Sequence, residues 1–150
     1  MPIPGKQLPY HGNAVTNSNN YEERKMFSHL MVGANDIEAS KRFYDAVLGA
    51  IGIAPGQFDD KGRVFYRSKG MSFGITKPIN GEPACAANGG TIGFAVDGPE
   101  EADKWHAAGI AHGGTTCENP PGIREGARGQ LYLAYLRDPA GNKICALKRL

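Results

Sequence analysis

An apolar strand that runs straight into an amphipathic helix, Phe27 to Gly49 (FSHLMVGANDIEASKRFYDAVLG), limits what this chain can fold into more than any other stretch. Its first third alternates. Leu30, Val32 and Ala34 take one face of a strand, and His29, Met31 and Gly33 take the other. Asp36 then stands where a helix needs a capping acceptor, and Ile37, Ser40, Tyr44, Val47 and Leu48 recur at three-and-four spacing along one helix face. Gly49 is the expected stop. A histidine near the start of a strand, on the face away from the following helix, is left to be explained.

The rest of the first half reads as three further strands: a weak one over 50–57, then Arg63–Ser68 and Met71–Lys77 joined at Lys69-Gly70. A Pro/Gly/Ala-rich loop covers 78–89. The second half repeats the plan. Thr91–Val96 alternates like the first strand, Gly98-Pro99-Glu100-Glu101 opens a helix with Ala102, Trp105 and Ala108 inward, and Gly109 is read as its end. Strands are expected over 110–115, 130–137 and 142–148, the last two joined by Asp138-Pro139-Ala140-Gly141. Aligning His29 with Thr91 brings Phe43 onto Trp105, and aligning Phe73 with Ile144 brings Gly70 onto Gly141. The chain is an old duplication of a βαβββ unit.

Alternation sorts the strands further. Leu30, Val32, Phe73, Ile75, Ile92, Phe94, Val96, Ile144 and Ala146 fall on the helix-covered side, and the opposite face receives many small residues. A sheet face of small side chains leaves the room that a small-molecule site needs. The 150 residues suffice for one domain with a core of its own, 26–150, made of module 1 (about 26–78) and module 2 (about 90–150). Residues 1–25, with early Pro/Gly breakers and a polar run, are expected to form a flexible extension.

Composition excludes several partners. A formal charge of +2 offers no basic field for nucleic acid or an anionic membrane, and no apolar run approaches the roughly 18 residues of a span. Cys85, Cys117 and Cys145 are odd in number and far apart, which fits a reducing cytoplasm better than a disulfide frame.

With both copies laid out, the chain resembles the vicinal-oxygen-chelate superfamily: glyoxalases, bleomycin-resistance proteins and extradiol dioxygenases. The residues that carry the resemblance are His29, Val32, Asn35-Asp36-Ile37, Ser40, Phe43-Tyr44 and Val47-Leu48-Gly49, with Arg137-Asp138-Pro139-x-Gly141-Asn142-Lys143 near the end. It implies an α+β fold of two tandem βαβββ modules whose mixed sheet curls into a cup with the helices outside, and it implies a homodimer. It also implies four cup positions that hold a divalent metal in the metal-dependent members, here His29, Gly74, Thr91 and Cys145. One standard ligand among four falls short of the three that a divalent cation needs, so no metal ligands and no cofactor are expected.

The leading expectation is metal-independent binding of a small organic molecule in the cup. The alternative is a metal-dependent lyase or isomerase of lactoylglutathione lyase type, or a dioxygenase-like enzyme, that uses His29. Candidate ligand-binding residues are His29, Met31, Gly74, Thr91, Gly93 and Cys145, with Arg124 and Arg128 as an anion clamp from the glycine-rich loop 122–129. His29 is the candidate acid or base. Tyr66, Tyr132 and Tyr135 face either the cup or the core, and His106 and His112 are read as structural.

Overall fold

The structure, a computed structural model, describes residues 24–150. The expected extension therefore lies outside the described residues, apart from Arg24 and Lys25. Eleven elements follow in order: β1 His29–Gly33, α1 Ile37–Gly49, β2 Gln57–Phe58, β3 Val64–Ser68, β4 Met71–Thr76, β5 Ile92–Ala95, α2 Pro99–Ala111, β6 Thr115–Thr116, β7 Gly122–Gly126, β8 Gly129–Arg137 and β9 Lys143–Arg149. The first module forms a four-stranded sheet in the order β1-β4-β3-β2. The second forms a five-stranded sheet, β5-β9-β8-β6, with β7 paired to β8. In each, the opening strand lies at the sheet edge, parallel to the module's last strand. This is the duplicated α+β architecture that the alternation implies.

The helices form where local chemistry starts them. Asp36 is extended and its carboxylate accepts from the Ala39 N–H at 3.0 Å, which satisfies one of the open donors of the first turn. The second helix has no side-chain cap. Pro99 in its first turn and Glu100 and Glu101 beside the N-terminus serve instead. The apolar stripes meet: Phe43, Tyr44, Val47 and Leu48 from α1 and Ala102 and Trp105 from α2 are fully buried or nearly so. Burial of one such large side chain is worth about 1.5–3 kcal/mol. Phe73 and Phe94 join the two sheets edge to face, with ring centroids 5.4 Å apart.

The strand expected over 50–57 is reduced to Gln57–Phe58, and three further expectations are corrected. Gly109 does not end α2, which runs on to Ala111. A Cβ at Gly109 would overlap Leu136 and crowd Val47 and Phe43, so this glycine lets the helix approach β8 and α1 closely. The strand expected over 110–115 shrinks accordingly to Thr115–Thr116. The run 122–129 is not a loop: β7 and the start of β8 form a hairpin that turns at Ala127-Arg128. His112 has the expected structural role, with its Nδ1 2.8 Å from the Ala108 carbonyl at the helix end.

The motif after β8 fastens the two modules together. Asp138 is 4% exposed and its carboxylate is saturated. Oδ1 accepts from the Ala140 and Asn142 N–H groups at 3.0 and 2.8 Å, and Oδ2 accepts from the Tyr44 hydroxyl at 2.7 Å and the Asn142 amide at 2.9 Å. The Asn142 amide also donates to the Gly33 carbonyl at the end of β1. Gly141 holds a φ of 91°, where a side chain would strain the turn, and its carbonyl accepts from Arg137 at 2.8 Å. The residues of this motif build the fold.

Candidate functional site

Each sheet has one face under its helix and one face away from it. On the first sheet the register aligns the open face in rows. His29, Ser72 and Arg67 form one, and Met31, Gly74 and Phe65 the next. On the second, Gly93, Cys145 and Tyr135 share a row, and Arg124 stands beside Leu131. Tyr135 therefore belongs to the open face. Tyr66 and Tyr132 belong to the helix side, where their hydroxyls donate to Asp45 and Asp103 at 2.9 and 2.7 Å.

The four positions expected to line one cup divide two and two between sheets that share no backbone hydrogen bonds. His29 and Gly74 lie on the first. Cys145 lies on the second, and Thr91 stands one residue ahead of β5. Gly74 is not open space. A Cβ there would overlap the Met31 sulfur and crowd the Phe65 ring, so these two side chains already occupy the volume that a carboxylate ligand would need. Among the described residues no group of three His, Cys, Asp or Glu side chains is placed to hold a metal ion. The residues present do not fit the metal centre of the metal-dependent members.

The Cys145 thiol is buried, which pushes its pKa up to about 11, with Lys143 working in the opposite direction. At neutral pH it is a packed thiol. Beside it, burial raises the Tyr135 hydroxyl, assisted by Cys145 and Glu118. The Lys143 ammonium donates to Glu118 at 2.7 Å and lies 5.0 Å from the Tyr135 ring centroid. Arg124 spends its guanidinium on nearby backbone, donating to the carbonyls of Pro120, just ahead of β7, and Ile123 at 2.7 and 3.2 Å. Arg128 is exposed at the hairpin tip.

The first sheet carries residues that sequence reasoning missed. Arg63, Phe65 and Arg67 alternate onto its open face, with both guanidinium carbons over the Phe65 ring, 5.1 and 5.3 Å from its centroid. Arg63 is also held by Asp59 at 2.6 Å. A cavity of about 870 Å³ opens near Arg63, between Met31 and Thr76 of the sheet, Arg63 just ahead of β3, Ile37 at the start of α1, and the loop residues Lys61, Lys77 and Ile79. Its size and its mixture of apolar walls with charged groups of both signs, Asp36 and Glu38 beside Lys61, Arg63 and Lys77, suit a small molecule.

The family model described as the Glyoxalase/Bleomycin resistance protein/Dioxygenase superfamily matches residues 26–146. The chain belongs to that superfamily. Among solved structures, a glyoxalase/bleomycin resistance protein from Albidiferax ferrireducens T118 is similar at 66% identity and a TM-score of 0.81, over 83% of this chain and 100% of that one. More distant members share the fold. A glyoxalase-related enzyme from Fulvimarina pelagi is 20% identical, with a TM-score of 0.64 over 83% of this chain and 88% of its own. A lactoylglutathione lyase from Agrobacterium tumefaciens is 23% identical, with a TM-score of 0.57 over 83% and 93%. No protein of curated function matches the chain.

Proposed function

We propose that this superfamily member binds a small organic molecule without a metal, on the open face of its first sheet. The observation that carries the reading is the cavity of about 870 Å³ next to a ligand position filled by apolar side chains. Met31 and Phe65 at the centre of the face would turn a metal site into an apolar platform. We read the working unit as a homodimer, since both open faces and the edge strands that open the two modules, β1 and β5, ask for a covering partner. Three free thiols are consistent with a cytoplasmic setting.

Elemental analysis of protein purified without chelator tests the first part. Substoichiometric zinc, nickel, manganese and iron are expected. One metal per chain, lost in His29→Ala, would overturn the reading. Light scattering tests the second, and a monomer mass at micromolar concentration would refute the dimer.

A further inference from the structure

The row His29–Ser72–Arg67 crosses three neighbouring strands of the first sheet, and all three side chains carry hydrogen-bond donors. Neighbouring strands lie about 4.8 Å apart, so the three groups span roughly 10 Å. Their donors are not used up. Among the described residues the Arg67 guanidinium makes no hydrogen bond or ion pair, whereas Arg63, on the other side of Phe65, gives its Nε and a terminal nitrogen to Asp59 at 2.7 and 2.6 Å. Phe65 lies beneath the Arg67 guanidinium and fixes where the fork sits. His29 Nδ1 is 2.8 Å from the Ser28 hydroxyl, which leaves Nε2 as the ring nitrogen available to a ligand. One row away, Met31 and Phe65 form an apolar floor over Gly74 that runs on to Met31 at the mouth of the cavity.

We infer that this face takes a planar aromatic carboxylate: its ring lies on Met31 and Phe65, and its carboxylate meets the Arg67 fork, with Ser72 and His29 as further donors. The inference rests on the proposed binding function and names the ligand class for that site. A guanidinium offers two parallel N–H groups that match the two oxygens of a carboxylate, and its preparation by stacking lowers the ordering cost of binding. The ligand needs a flat body because the floor is a sulfur and a ring edge with no side chain at Gly74 to divide it.

The test uses the full chain, with 2-naphthoate, its uncharged analogue 2-naphthamide and phenyl phosphate as probes. Binding is followed by backbone amide shifts, which locate the site, and by titration, which gives affinity. In the unmodified protein, 2-naphthoate is expected to shift amides at 29–31, 65–67 and 72–74 and to bind at least about tenfold more tightly than the amide, as for one charge-assisted hydrogen-bond pair. Arg67→Gln should lower 2-naphthoate to the affinity of 2-naphthamide, with backbone amide positions away from residues 65–67 unchanged as the report of an intact fold, and a preference for the acid that survives Arg67→Gln overturns the role of the fork. Equal binding of the acid and the amide at these residues overturns the carboxylate inference and leaves the binding function standing. Tighter binding of phenyl phosphate than of 2-naphthoate reassigns the anion to a phosphate ester and overturns the inference. Absence of all three probes from this face overturns the inference together with the placement of the site.

Discussion

Tyr44 and Asp138 are 94 residues apart in sequence and meet at 2.7 Å in the core. Burial, and then the Asp138 carboxylate, raise the Tyr44 hydroxyl well above its ordinary pKa, so it remains a donor across the working pH range. Tyr44→Phe removes that donor without changing the packed ring. A hydrogen bond to a charged group contributes about 1.5–3 kcal/mol, and Asp138 keeps three other donors, so a loss of about 2 kcal/mol is expected. Asp138→Ala strands a fully buried hydroxyl and two turn N–H groups, and the expected loss is larger, about 3–5 kcal/mol. In the Tyr44→Phe background the second substitution should cost about 2 kcal/mol less, the coupling of the pair. Urea unfolding with an unchanged slope is the assay. A parallel thermal melt should fall by about 3 °C for each kcal/mol in a domain of this size. A Tyr44→Phe protein within 0.5 kcal/mol of the parent, or a coupling near zero, would refute the view that this contact fastens the two modules.

Three further outcomes follow from packing and charge. Gly109→Ala should destabilise by about 1–3 kcal/mol despite alanine's better helix propensity, because its methyl group meets Leu136; a stability gain in urea would show that the helix has slack. Alkylation at pH 8, followed by mass spectrometry, should label exposed Cys85 well before Cys145, whose buried thiol titrates at about 11; equal rates would contradict its burial. Burial alone would raise the Asp45 carboxyl, but hydrogen bonds from Lys41, the Gly56 N–H and Tyr66 outweigh it and hold the folded pKa below the free value of 3.8. The stabilisation is therefore complete above that value and lost as pH falls through the folded pKa. The stability gap between the parent and Asp45→Asn should narrow on acidification in that window, and a gap independent of pH would refute it.

Alternation made most of the fold legible, because a strand with one buried face writes its register into the sequence. Leu30, Val32, Phe73 and Ile75 all pack where their parity placed them. Gly109 is ambiguous in sequence because a glycine late in a helix has two uses, stopping the helix or admitting a neighbour, and only the neighbour distinguishes them. The hairpin at 122–129 was hidden for a related reason: with three glycines in its strands and turn, it has no apolar rhythm to detect. In the site, Arg63, Phe65 and Arg67 sat in plain alternation. Phe65 and Tyr66 are adjacent aromatics, however, and either parity would have buried one of them, so the face they line was undetermined until α1 packed against Tyr66.

The clasp between the modules also has a timetable. A ribosome adding about 5–20 residues per second releases Tyr44 some 5–20 seconds before Asp138, and Gly33 waits longer still for Asn142. Through that interval the apolar stripe of α1, Phe43 and Val47 included, has no second module to lie against. A nascent chain paused between the halves would expose the surface that chaperones recognise, and only the last strands to emerge would withdraw it.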